Sequence, residues 1–166
     1  MTTVPRDQLE SLHPDAWGWA LCCCGWQREE AEDVLHTSYC KVLDGRARFD
    51  GRSSLRTWLF GVIRHTAAEE RRRRWFRGRK ALAAVRDDPP SISTPERLAV
   101  ESAEQRTVRS ALLTLPRRQR ELLHLVFYED LTVADAARVL GLSVGSARTH
   151  YHRGKSNLRA RLGGLR

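Results

Sequence analysis

The sequence predicts an all-α protein built as two small helical domains joined by a flexible linker. Three observations lead there. Apolar residues recur at helical spacing almost throughout, and no convincing run alternates with period two. A stretch rich in proline and aspartate divides the chain near its middle. Each half also carries one concentrated basic segment, so each half has its own charged face.

Residues 1–14 read as a loose lead-in punctuated by Pro5 and Pro14. A first helix is predicted over Asp15–Trp26 and a second over Glu29–Leu43. The second has a stripe of Ala31, Val34, Leu35, Ser38, Tyr39, Val42 and Leu43, and Asp44-Gly45 ends it. The polar segment Arg46–Ser53 is loop-like. A third helix starts near Ser54, places Leu55, Trp58, Leu59, Val62 and Ile63 on one stripe, and runs into Arg71–Arg74. These elements make a domain over 10–80. The linker, 81–96, contains Asp87-Asp88-Pro89-Pro90 followed by Ser-Ile-Ser-Thr-Pro. The second domain, 97–166, opens with a helix that ends before Leu115-Pro116. The next helix has Pro116 in its first turn and is expected to bury Leu122, Leu123, Val126 and Phe127 before a turn at Glu129-Asp130.

A helix-turn-helix pattern follows at Thr132–Lys155. Val133, Ala136, Ala137 and Leu140 form the inner stripe of its first helix. Gly141 supplies the positive φ of the turn, Leu142 plugs the core, and Ser143 can cap a second helix from Val144. With Ala147, Tyr151, Gly154 and Leu158 facing inward, the opposite face presents Ser146, Thr149, His152 and Arg153. Arg148 and Lys155 flank that face on one side and His150 on the other. Arg148 and Arg153 suit bidentate donation to guanine, and Thr149 suits a hydrogen bond or a thymine methyl. Ser146, His150 and Lys155 are better placed for phosphates.

Charge supports a polyanionic partner. The chain has 29 Lys+Arg against 20 Asp+Glu, a net charge of +9. Arg64–Lys80 holds eight basic and two acidic residues, Ser143–Arg166 holds six and none, and the remainder is mildly acidic. No segment is long and apolar enough to span a bilayer and no signal peptide is evident, so no membrane insertion is expected and a cytoplasmic location is the default. Glycine-rich phosphate loops, nucleophile motifs and HExxH are absent from the sequence, so neither catalysis nor a cofactor or metal is expected. Cys22, Cys23 and Cys24 point in different directions on a regular helix and Cys40 stands apart, which suits reduced, partly buried thiols. The third helix joins Trp58, Phe60, Trp75 and Phe76 to many arginines, a composition suited to unstacked bases. Trp58 lies on the apolar stripe and reads as core. Phe49, in the polar loop, is the better candidate to touch a base.

The order of these features resembles that of bacterial sigma factors of the extracytoplasmic-function type, from about residue 15 to 162. LPRRQRELLHLVFYEDLTVADAARVLGLSVGSARTHYHRGKSNLRARL is similar to the family's region 4. AEDVLHTSYCKVL resembles its polymerase-binding helix, and SSLRTWLFGVIRHTAAEERRRR its region 2 promoter-melting segment. The resemblance implies a factor that binds core RNA polymerase, through the clamp helices and the flap, and directs it to promoter DNA. Region 4 would read the −35 element through the helix-turn-helix. Region 2 would melt the −10 element and hold a flipped base with Phe49, Asp50, Ser53 and Ser54, while Arg64, His65, Arg71 and Arg72 follow the strand. Asp33, His36, Thr37 and Tyr39 would face the clamp helices, and family habit adds an anti-sigma partner. His36-Thr37 replaces the family's usual Gln-Glu, and His65 stands where Asn is frequent. Two other readings fit parts of the chain: a stand-alone helix-turn-helix regulator, which leaves the aromatic-basic helix unexplained, and a redox- or metal-responsive adaptor using the cysteines.

Overall fold

The computed structural model describes residues 4–82 and 102–164. Among them run eight helices and no strand: α1 (Arg6–Ser11), α2 (His13–Cys23), α3 (Arg28–Leu43), α4 (Leu55–Leu82), α5 (Ala103–Leu113), α6 (Arg117–Phe127), α7 (Val133–Leu140) and α8 (Val144–Gly163). The fold is all-α. The expected linker, 81–96, lies outside the described residues except for its first two, which continue α4.

The lead-in is more ordered than its composition suggests. Pro5 precedes the first turn of α1, and Val4 and Leu9 are buried against the neighbouring helices. The helix α2 stops earlier than expected, at Cys23. Gly25 and Trp26 both take left-handed φ, 62° and 61°, and the Trp26 N–H closes the end on the Leu21 carbonyl at 2.8 Å. The helix α3 buries Ala31, Val34, Leu35, Ser38 and Val42. Leu43, its last residue, leaves the stripe and is exposed. The helix α4 is 28 residues long, about 42 Å at 1.5 Å per residue. Ser54 starts it by accepting the Thr57 N–H at 3.1 Å. Its core stripe is Leu59, Phe60, Ile63 and Ala67, so Phe60 belongs to the interior while Trp58 is half-buried.

The two helical domains are both present, and they pack on each other through a shared core. The helix α6 explains why, because it is apolar on two sides. Leu123 packs with Leu112 and Leu115 of its own half, whereas Leu122 and Leu125 join the cluster of Trp19, Leu59, Phe60 and Ile63. Thus α2 lies on α6 and α4 on α7. Phe127, expected inside, is 56% exposed because it follows the last turn that faces either layer, and its ring lies 6.0 Å from that of Tyr151.

A polar seam runs through this junction. Arg56 reaches Asp15 at 3.0 Å, the Glu129 carbonyl at 2.6 Å and the Glu129 carboxylate. The other Glu129 oxygen meets His124 at 3.1 Å, and the His124 ring lies 5.7 Å from Trp19. Glu121, fully buried, faces Arg64 at 3.7 Å. Charges removed from water this completely need partners, and these come from both halves.

Candidate nucleic-acid interface

The helix-turn-helix forms as its residues dictate. Thr132 caps α7 by accepting the Asp135 N–H at 3.1 Å, Gly141 takes φ 62°, and Ser143 caps α8 by accepting the Ser146 N–H at 3.1 Å. Fully buried Ala147 and buried Gly154 let α8 sit close to the helices beneath it. A Cβ at Gly154 would stand 3.2 Å from Gln119 Cβ and 3.3 Å from Leu123. Tyr151 and Leu158 are half-buried beside it.

Seating α8 in this way turns its other side to solvent. Ser146, Arg148, Thr149, His152 and Arg153 are exposed, while His150 and Lys155 are half-buried at the margins. Lys155 Nζ lies 5.1 Å from the Tyr151 ring centroid, so the cation is held beside the face. Thr149 donates to the Gly145 carbonyl at 3.1 Å and keeps its methyl group available. Neither Arg148 nor Arg153 has an ion pair among the described residues, and α8 contains no acid.

The second basic segment is arranged differently. Phe49 is half-buried, with its ring 5.4 Å from that of Trp58. Asp50 accepts the Arg52 N–H at 3.1 Å across a turn in which Gly51 has φ 74°. Ser54 is occupied as the helix cap, and its hydroxyl donates to Thr57 at 2.9 Å. Ser53 and His65 line a cleft of about 800 Å³ together with Lys41, Arg46, Arg52 and, from α7, Arg138. Glu69 is the acid in this cleft. Lys41 and His65 both engage it, at 2.5 and 3.0 Å, and the Lys41 hydrogen bond holds its carboxyl below the usual range. Arg46, Arg52 and Arg138 escaped the sequence reading. The first two were legible as cations flanking the loop phenylalanine, whereas Arg138 joins them only through the packing of α7 on α4.

The four residues expected to follow the strand divide into two pairs. His65 and Arg72 are exposed. Arg64 is turned toward Glu121, and Arg71 donates to the Cys23 carbonyl at 3.0 Å. Burial lowers the Arg71 guanidinium from its ordinary pKa. On α3, Asp33, His36 and Thr37 share a face, with the first two exposed. Tyr39 lies further round, where its hydroxyl meets His13 Nδ1 at 3.0 Å and burial pushes the phenol up to about 12. His36 and Tyr39 line a shallow groove with Trp17, Arg28, Glu32 and Leu35.

All four cysteines are free thiols, and Cys22, Cys23 and Cys24 are buried. Burial pushes the Cys22 and Cys23 thiols well up and that of Cys24 to about 11, which suppresses the reactive thiolate. Among the described residues no group of three or more His, Cys, Asp or Glu is placed to hold a metal ion, and no helix is long and apolar enough to cross a membrane.

The chain is similar to known proteins over both halves. Residues 9–77 match the family model for sigma-70 region 2, and residues 105–158 match that for sigma-70 region 4. The chain is 32% identical over 130 residues to the ECF RNA polymerase sigma factor SigC of Mycobacterium tuberculosis, covering 78% of this chain and 69% of that protein. It is 30% identical over 164 residues to the ECF sigma factor ShbA of Streptomyces griseus, covering 93% and 85%. Among solved structures, the sigma factor RpoE in complex with the anti-sigma factor NepR from Bartonella quintana has the same fold. It matches with a TM-score of 0.73 at 23% identity, over 98% of this chain and 100% of that one. Two basic helices in one all-α frame, both regional matches in order, and relatives at this identity lead to one conclusion: the chain belongs to the extracytoplasmic-function sigma factors, DNA-binding regulators that direct RNA polymerase to promoters.

Proposed function

We propose that this sigma factor reads the −35 element as duplex with the outer face of α8. Arg148, Thr149, His152 and Arg153 would contact base edges, and Ser146, His150 and Lys155 the phosphates. The single observation that carries this reading is the exposed, acid-free face of α8, whose arginines have no protein partner among the described residues. Region 2 opens the −10 element around the cleft beside Phe49, Asp50, Ser53 and Ser54, with His65 and Arg72 along the strand. Arg64 and Arg71 join them when the halves part. Asp33, His36, Thr37 and Tyr39 meet the polymerase clamp, and the flap takes region 4. The domain limits that go with this assignment are 10–80 and 97–166. An anti-sigma protein is a further proposed partner, since the similar structure of the sigma factor RpoE was solved in complex with the anti-sigma factor NepR.

Run-off transcription with core polymerase tests the assignment. The full chain should start transcription at a defined promoter, and Arg153→Ala should lose preference at one −35 position. Equal loss on every promoter variant would move Arg153 from the bases to the phosphates. Binding of duplex DNA with no effect of core polymerase would favour a stand-alone regulator.

A further inference from the structure

Three consecutive cysteines close α2, and promoter reading leaves them unused. Their surroundings are graded. Cys22 is fully buried, and the charged side chains around it, Glu121, Arg120 and Glu129, all belong to the C-terminal half. Cys23 has Glu121 of one half and Arg71 of the other near it. Cys24 stands at the rim beside Arg71 and Arg74 and is 9% exposed.

The cover over Cys22 is α6. Cys22 follows Trp19 by one helical turn, and the Trp19 ring lies 5.7 Å from that of His124 on α6. Trp26, just beyond, packs against Leu112, Leu115 and Leu123. This cover is not held uniformly. Among the described residues neither carboxylate oxygen of the fully buried Glu121 has a hydrogen-bond partner, and Arg64 Nε also lacks one. Buried charges without hydrogen bonds oppose closure, so the shared apolar core and the hold of Arg56 on Glu129 must outweigh them. Function also requires the cover to leave. The −10 and −35 elements assigned above to the two halves are about 25 base pairs apart, about 85 Å of duplex. A compact chain of 166 residues has a radius of gyration of only about 15 Å.

We propose that Cys22 is a thiol-modification site uncovered when the halves part, and that a mixed disulfide formed there with a low-molecular-weight disulfide keeps α6 from returning. This rests on the promoter reading proposed above. Parting carries Arg120, Glu121 and Glu129 away from α2 and leaves Arg71 and Arg74 behind. Water reaches the sulfur, acids depart and cations stay, and each change favours the reactive thiolate. The Cys22 thiolate attacks one sulfur of the disulfide. A new S–S bond forms to Cys22, the old S–S bond breaks, and the displaced thiolate takes up the proton that Cys22 released. Excess thiol reverses the step. The adduct fills space that α6 occupies in the closed chain, so disulfide stress holds the factor in the form that spans both promoter elements.

The test treats the full chain with oxidised glutathione and follows each cysteine by mass spectrometry. In wild type Cys22 should react slowly and Cys24 faster. R56A, which frees Glu129, should speed Cys22 at least about tenfold, as expected when a buried pair that holds closure is broken, and change Cys24 little. E129Q removes the same charge pair with less change of shape, and replaces R56A if that variant loses helical circular dichroism. Modified wild type should keep its helical circular dichroism and gain radius of gyration in solution scattering, whereas C22S treated alike should not expand. Run-off transcription at limiting factor should rise on treatment of wild type and not of C22S. An unchanged Cys22 rate in the seam variants overturns the proposal. So does a modified chain that stays compact or loses its helices, a C22S chain that responds like wild type, or a fall in transcription. If the untreated chain supports no transcription with core polymerase, the promoter reading falls, while labelling and scattering still decide the thiol site.

Discussion

The two basic helices, α4 and α8, use similar residues in opposite ways. In α8 one face does the docking, through Ala147, Tyr151, Gly154 and Leu158, and the cations stay on the other. In α4 the cations are spread around the barrel of the helix, and Arg56, Arg64, Arg71 and Arg74 are bound to protein groups. A basic helix is therefore not by itself a DNA-binding surface. What decides is whether acids from elsewhere reach its arginines first. Among the described residues the outer face of α8 is clear of them, whereas α4 is clear only toward its far end.

Substitutions can break this contrast, and the largest effect is expected on the α4 side. Arg56→Ala would leave the nearly buried Glu129 without its cation and should lower stability by about 3 kcal/mol. Chemical denaturation measures this, and a loss within experimental scatter would mean that the seam contributes nothing. Arg153→Ala on α8 should act on binding instead. It should cost about 1–3 kcal/mol at the cognate −35 base pair with stability unchanged within about 0.5 kcal/mol. A matching drop in melting temperature would show that Arg153 has a structural partner after all.

Gly154→Ala probes the seat of α8 rather than its face. Alanine favours the helix by up to about 1 kcal/mol, but the new Cβ meets Gln119 and Leu123 at 3.2–3.3 Å, and overpacking of this kind costs about 1–3 kcal/mol. A net destabilisation of about 1 kcal/mol is expected, with −35 binding weakened as α8 tilts. A stabilised variant would show that the two side chains give way. The smallest effect concerns Glu69. Its carboxyl pKa is depressed from 4.5 by Lys41, so its contribution is fully present above that pH and is lost as pH falls through the lower folded value. Screening at this partly exposed site keeps the contribution under about 1 kcal/mol. A stability-pH curve should flatten in this acid limb for Lys41→Met, and unchanged curvature would reassign the limb to other carboxylates.

The contrast also explains what could be read in advance. The helix-turn-helix was legible because every determinant is local. Gly141 and Ser143 do their work within three residues of themselves, and α7 begins and ends where its pattern says. The helix α1 was missed because a helix of six residues, held by Val4 and Leu9, is too short to show a periodicity. Phe127 and Leu43 were assigned inward by spacing alone, but each is the last residue of its helix, where spacing no longer tells which way the chain departs. Arg64 illustrates the harder case. Its residue type and position suit DNA, yet its neighbour is Glu121, far along the chain. No local pattern reports that meeting, and the shared core of the two halves escaped for the same reason.

The Arg56 contact with Glu129 has a consequence for how the chain is made. Its partners are 73 residues apart, and a ribosome adding about 5–20 residues per second needs roughly 4–15 s to cover that distance. For that interval Trp19, Phe60 and Arg56 wait on the nascent chain without the helix that covers them. The N-terminal half is thus born as an open surface, and its completion is timed by translation.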